Sequence, residues 1–268
     1  MDDQAIPRLL SIAGSDSGGG AGIQADLKAF AGCGVHGMTA ITAITAQNTV
    51  GVTAVHTIPP DIIVAQVRAV SSDIGVDAVK IGMLGTVETI EAVVAALDEL
   101  PAETPVVIDP VMVAESGAEL LESAARRALI ERLLPRATVV TPNVPEAVAL
   151  AGAPADPEVL VRRVHALGPR YVVVTGGHRE TATDLFFDGQ EIVEIPGERF
   201  PDGAAHGSGC THSSVLAARL AWGDDPLRAA RHAKKFASRA VADGLTEIGS
   251  GAGPVDVLGL RRERSRSF

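Results

Sequence analysis

The sequence predicts an α/β fold, with a central, mostly parallel sheet covered by helices on both faces and a short β-hairpin element. Three observations carry that expectation. Short apolar runs alternate with longer stretches whose apolar residues recur at helical spacing, the pattern of a parallel sheet buried on both faces. Several of the short runs end in a glycine or a polar residue, at Gly14, Gly82, Asp109 and Asn143. Right-handed crossovers gather such ends on one edge, where open α/β sheets bind their ligands. The length of 268 residues, 46% of them hydrophobic, suits one large core, taken here as a single domain over 1–258. Residues 259–268 carry Arg261, Arg262, Arg264 and Arg266 and are expected to form a disordered basic tail.

Composition excludes several classes of partner. Aromatic residues make up 3%, too few for a stacking surface on single-stranded nucleic acid, and the net charge of −10 argues against binding a phosphate backbone. Cys33 and Cys210 show no metal-ligand spacing, which fits a reduced, cytoplasmic protein. The acidic start and the lack of an apolar window of about 18 residues predict neither a leader nor a membrane span.

In chain order, Arg8 to Gly14 reads as a buried strand, Ser15 to Gly20 as a loop, and the stretch from Ala21 as a helix with Ile23, Leu27, Phe30 and Ala31 on one face. This unit matches neither G-x-G-x-x-G nor the Walker A pattern. Gly37 to Ala46 alternates with period two and ends in the polar corner Gln47-Asn48-Thr49; Val50 to Ile58 reads as a strand outside the main βαβ succession. A helix over Asp61 to Ser71 follows Pro60. The alternation then runs through Ala78 to Met83, a helix over Val87 to Leu100, Pro105 to Asp109, a helix over Glu119 to Leu134, and Thr138 to Thr141. Asn143 and Glu146 have the spacing of a capping box. A helix over Pro154 to Leu167, a strand from Tyr171 to a Gly176-Gly177 turn, and a hairpin of Asp184 to Phe187 with Ile192 to Ile195 complete the middle of the chain. Near the C-terminal end, Pro226 to Gly244 reads as a long helix on which Lys234 and Lys235 form a solvated face, and Cys33 reads as a small packing residue.

Gly203 to Ser214 reads as a glycine turn opening a helix of small residues. The first turn of such a helix offers free N–H groups and a positive field, suited to a phosphate and to a Cys210 thiolate. A plain helix start with an inert cysteine fits equally well, and the stretch alone does not choose.

Ala13-Gly14-Ser15-Asp16-Ser17-Gly18-Gly19-Gly20-Ala21-Gly22-Ile23-Gln24-Ala25-Asp26-Leu27-Lys28 resembles the opening motif of the hydroxymethylpyrimidine/phosphomethylpyrimidine kinases of thiamine biosynthesis, members of the ribokinase-like superfamily. The resemblance runs from about Leu9 to Val257 and takes in Asn143-Val144-Pro145-Glu146, His206-Gly207-Ser208-Gly209-Cys210-Thr211 and the closing segment Gly249 to Val255. It implies a ribokinase-like kinase domain that uses ATP and Mg²⁺ to phosphorylate 4-amino-5-hydroxymethyl-2-methylpyrimidine and then its monophosphate. By the same resemblance Gly14, Asp26, Gln47, Met83 and Val111 bind the pyrimidine, with Asp26 accepting from its amine or a ring nitrogen. Asn143, Thr175, Gly176, Gly207 and Gly209 border the nucleotide, Asp109 and Glu146 serve the metal, and Gly207, Ser208, Gly209 and Cys210 are catalytic, Cys210 as base. Relatives often carry Asp or Asn followed by Thr before the histidine, where this chain has Ala204-Ala205. Expected partners are the small-molecule pyrimidine, ATP and a second copy in a homodimer, with no nucleic acid and no membrane. A Cys-type pyridoxal kinase and a non-catalytic pyrimidine-binding relative are the alternatives.

Overall fold

The computed structural model describes residues 5–113, 117, 120–178, 182–201 and 203–263. Eight strands form one sheet in the order β10-β9-β8-β7-β6-β5-β1-β2. Six of them run parallel: β1 (Arg8–Ala13), β5 (Ala78–Ile81), β6 (Val106–Ile108), β7 (Val139–Val140) and β8 (Tyr171–Val174) inside the sheet, and β2 (His36–Ile41) at one edge. β9 (Asp184–Phe187) runs antiparallel to β8, and β10 (Ile192–Ile195), at the other edge, runs antiparallel to β9 as the second arm of a hairpin closed by the short connection from Asp188 to Glu191. β3 (Ala43–Gln47) and β4 (Val52–Thr57) form a separate two-stranded sheet.

Successive side chains on a strand face opposite ways, so each central strand feeds two cores. Leu10, Ile12, Val79 and Ile81 pack beneath α2 (Pro60–Asp73), α3 (Val87–Leu97), α5 (Val144–Ala151) and α6 (Pro157–His165). Leu9, Ala78, Val107, Val139 and Val173 pack beneath α1 (Gly22–Gly32), α7 (Ser208–Ala221) and α8 (Pro226–Ala242). The second layer is built largely from alanines, including Ala217, Ala218, Ala229, Ala230 and Ala233, all fully buried, and small side chains let helices and sheet approach closely.

The structure departs from the sequence expectations at identifiable places. The run from Gly37 to Ala46 is not one strand: it breaks at Thr42, whose hydroxyl donates to the Met83 carbonyl at 2.8 Å and whose N–H donates to Ala13, so the chain leaves the sheet and starts β3. The helix expected over Glu119 to Leu134 begins at Ser123 as α4 (Ser123–Ala128), Glu119 lying outside the described residues. It continues as a π turn over Leu129–Leu133 and a 3₁₀ turn over Leu134–Arg136. Pro135 explains the loosening, since it has no N–H and its ring crowds the carbonyl four residues back. The tail expectation is corrected for its first residues: Leu260–Glu263 form a short helical turn, α9, because the Asp256 carboxylate accepts the N–H groups of Leu260 and Arg261. Residues 264–268 lie outside the described residues. Among the described residues, no helix is long and apolar enough to cross a membrane.

Candidate active site

The C-terminal ends of β1, β5, β6, β7 and β8 open onto one edge, and β1 leads to β2 on one side while β5 lies on the other. That reversal of strand order creates a crevice. A cavity of about 570 Å³ sits over it. Gly14, Gln47 and Met83 line the end near β1 and β5, Thr175 lies towards β8, and Val111, Asp109, Asn143, Glu146 and the Gly207–Cys210 turn line the space as well. Of the site residues expected from sequence, Asp26 and Gly176 alone do not line it.

The start of α7 is shaped as an anion site. Gly207 has φ +83°, a left-handed conformation, and a Cβ there would collide with the Gly20 carbonyl. No side chain caps the helix, so first-turn N–H groups face the cavity, with Gly209 exposed to it. Facing this turn is an acid pair. Asp109 accepts from the Ser213 hydroxyl at 3.1 Å, and burial raises its pKa above the usual carboxylate range. Glu146 is pushed up to about 8 by burial and then by the charge of Asp109. The capping box is also present: Asn143 Oδ1 accepts the Glu146 N–H and Glu146 Oε2 the Asn143 N–H, both at 2.9 Å, so Glu146 shapes the helix start and the cavity wall together. Two buried hard-oxygen groups, one of which raises the pKa of the other, are a donor set a divalent cation relieves, the remaining positions being left to phosphate oxygens and water. Among the described residues, no cluster of three or more His, Cys, Asp or Glu is arranged for a metal.

Comparison with known proteins places this geometry. A family profile described as phosphomethylpyrimidine kinase matches residues 16–256. A hydroxymethylpyrimidine/phosphomethylpyrimidine kinase of Rhizobium meliloti is 51% identical, over 92% of this chain and 95% of its own length. A thiamine biosynthesis bifunctional protein of Geobacter sulfurreducens is 45% identical over 96% of this chain and 54% of its own. The chain belongs to the phosphomethylpyrimidine kinase family. Within solved structures, the pyridoxal kinase of Staphylococcus aureus in complex with AMP-PCP and pyridoxal superimposes with a TM-score of 0.87 at 35% identity, covering 97% of this chain and 96% of that one.

Three of the expected site residues sit in surroundings that the sequence does not suggest. Asp26 does not line the cavity. It is fully buried, its Oδ1 bound by Lys80 Nζ and the Ser214 hydroxyl, each at 2.8 Å, and its Oδ2 by the Ser11 hydroxyl at 2.6 Å. Its acceptor sites are spent on the floor of the site. Gly176 is likewise buried: its N–H donates to Asp184 at 2.8 Å and a Cβ there would collide with the Thr183 backbone, while Gly177 lines the cavity. Cys210 is half-buried, and desolvation of its sulfur pushes the thiol up to about 12. The helix field and Lys80 do not win against burial, and the unliganded site holds a thiol rather than the expected thiolate.

Other residues in the cavity wall went unread. Lys80 was legible in principle, since a lysine in the apolar strand Ala78-Val79-Lys80-Ile81 has to find a buried partner. Burial opposes its charge, yet Asp26, with Cys210 and Asp109, holds its pKa above the lysine range. Lys234 is not on a solvated face: it is 9% exposed and pairs with Asp184 at 2.6 Å, while Lys235 is exposed. Its spacing from Ala230, Ala233 and Ala237 on α8 gave the signal. His212 Nε2 lies 3.3 Å from Asp184 Oδ2 without hydrogen-bond geometry. Asp16 and His206 meet at 3.0 Å, and no local pattern links residues so distant.

Proposed function

We propose that this protein uses ATP to phosphorylate 4-amino-5-hydroxymethyl-2-methylpyrimidine and then its monophosphate, giving the diphosphate for thiamine synthesis. The observation that carries this reading is the uncapped N-terminus of α7 facing the Asp109–Glu146 acid pair across one cavity. Transfer of a phosphoryl group through a loose transition state asks little covalent chemistry of a protein; it asks for donors aimed at the moving charge and for aligned reactants. The N–H groups of Gly209 and Cys210 supply the donors, that of Ser208 being bonded to the Ala205 carbonyl at 2.9 Å. Gly14, Gln47, Met83 and Val111 form the end assigned to the pyrimidine, the Gln47 amide offering both a donor and an acceptor to a ring edge. Thr175 and Asn143 border the end assigned to the nucleotide. Asp109 and Glu146 fit Mg²⁺, which when bound neutralises charge on the nucleotide phosphates.

Cys210 is assigned to the substrate hydroxyl. With its thiol pushed up to about 12 it is not a ready base, and base action requires Lys80, whose charge favours the thiolate, to outweigh burial once substrate fills the site. Residues 1–258 are proposed to act as one catalytic domain, as a cytoplasmic homodimer. A second reading, phosphorylation of pyridoxal, is favoured by the likeness to the staphylococcal pyridoxal kinase solved with that ligand.

The deciding experiment measures ADP release with the aminopyrimidine alcohol, its monophosphate and pyridoxal, using wild type and Cys210→Ala. Turnover with both pyrimidines supports the first reading; turnover with pyridoxal alone supports the second. No ADP release with any of the three overturns both and leaves a non-catalytic binder.

A further inference from the structure

Two loops 190 residues apart in sequence meet at Asp16 and His206. Asp16 is 1% exposed. Its Oδ1 accepts the N–H of Gly18 at 2.8 Å, and its Oδ2 accepts those of Gly20 at 3.0 Å and Ala21 at 2.8 Å while facing His206 Nε2 at 3.0 Å. Against the pull of burial, hydrogen bonds from His206, Ala21 and Gly18 hold this carboxyl below the usual range. An ionised carboxylate only accepts, so the proton of the contact belongs to Nε2 of the imidazole.

His206 is anchored from its other side. Its carbonyl accepts the Val255 N–H at 3.1 Å, and the residue pairs with Pro254 in an isolated parallel bridge. The two backbones also touch: a side chain at Gly20 would strike the His206 ring, and one at Gly207 would strike the Gly20 carbonyl. His206 directly precedes Gly207, whose left-handed conformation starts α7. One contact thus ties the loop at the pyrimidine end to the turn that presents the anion-binding N–H groups.

We propose that Asp16 and His206 are a positioning pair, holding the Gly14–Gly22 loop and the first turn of α7 in register so that the substrate hydroxyl meets the transferring phosphoryl group. The pair acts through the two loops it joins, and the inference rests on the kinase reading. Because reaction depends steeply on alignment, loosening the pair lowers kcat, while binding by each loop separately keeps the two KM values close to their original levels.

The test compares wild type with His206→Leu, which removes the donor, and His206→Gln, whose amide donates from a similar reach. Two measurements are made: steady-state ADP release, and backbone amide exchange of 14–22 and 206–214 without ligand. His206→Leu is expected to lower kcat about 10- to 100-fold with both KM values little changed. His206→Gln recovers most of that loss, and both segments exchange faster in the leucine variant alone. The proposal is overturned if the leucine variant keeps its kcat and loses only Tm, if glutamine falls as far as leucine, or if exchange is unchanged. Should wild type release no ADP, the kinase reading falls by itself and exchange alone decides: faster exchange in both segments for leucine but not glutamine upholds the pair, and anything else overturns it.

Discussion

Lys80 Nζ lies 2.8 Å from Asp26 Oδ1, and both side chains are wholly out of solvent. Hydroxyls of Ser11 and Ser214 complete the set, so two strands and two helices are joined through one carboxylate at the floor of the cavity. Removing either partner strands a charge. Lys80→Met and Asp26→Ala are each expected to destabilise the fold by about 3–5 kcal/mol, and the double variant by less than their sum. Urea unfolding of the four proteins checks this. An Asp26→Ala protein with full stability and a raised KM for the pyrimidine would return Asp26 to the substrate pocket.

Cys210 should be slow to alkylate at neutral pH. A pKa raised to about 12 leaves little thiolate at pH 7, and the thiolate fraction rises about tenfold per pH unit until the pKa is approached. Iodoacetamide labelling of a Cys33→Ser protein, followed by mass spectrometry from pH 7 to 10, should give that slope. A plateau beginning near pH 7 would mean that the helix start depresses the thiol after all. Bound aminopyrimidine alcohol should block the labelling.

Gly207→Ala combines two faults, a left-handed backbone with a Cβ and a collision with the Gly20 carbonyl. A loss of about 1–3 kcal/mol of stability is expected, with kcat falling further than either KM because the anion-binding turn is displaced. Thermal melts and steady-state rates separate the two effects.

Ala204 and Ala205 differ in what they can accept. Ala204 is buried against Gly244, so Ala204→Asp should destabilise by about 2 kcal/mol or more through an unpaired buried carboxylate. Ala205 is exposed and lines the cavity, so Ala205→Thr should alter stability by no more than about 0.5 kcal/mol. Its added hydroxyl is expected to lower the KM for ATP. An unchanged KM would place position 205 outside nucleotide contact.

The sheet and its active edge could be read from sequence because they rest on local periodicity: apolar strands ending at Gly14, Gly82, Asp109 and Asn143 need only the crossover rule to converge. The errors arise where a residue's environment is set by distant chain. Asp26 sits in the first turns of α1 beside a glycine loop, and nothing nearby tells that Lys80 and Ser214 will enclose it. For Cys210 the local cue, a helix start, pointed towards a thiolate, whereas the desolvation that prevails comes from the surrounding fold. Lys234 departs for a different reason: its charge suggests a solvated face, whereas its spacing from Ala230, Ala233 and Ala237 puts it on the buried side of α8.

The contacts that finish the site join the first tenth of the chain to its last quarter: Asp16 to His206 and Asp26 to Ser214. During synthesis the glycine loop therefore emerges long before the residues that complete it. A nascent chain shorter than 206 residues lacks both partners, and the Lys80–Asp26 pair has no α7 above it to exclude water. The amino-terminal half can assemble its part of the sheet early, but the glycine loop after β1 acquires its final anchors only once the chain has reached Ser214.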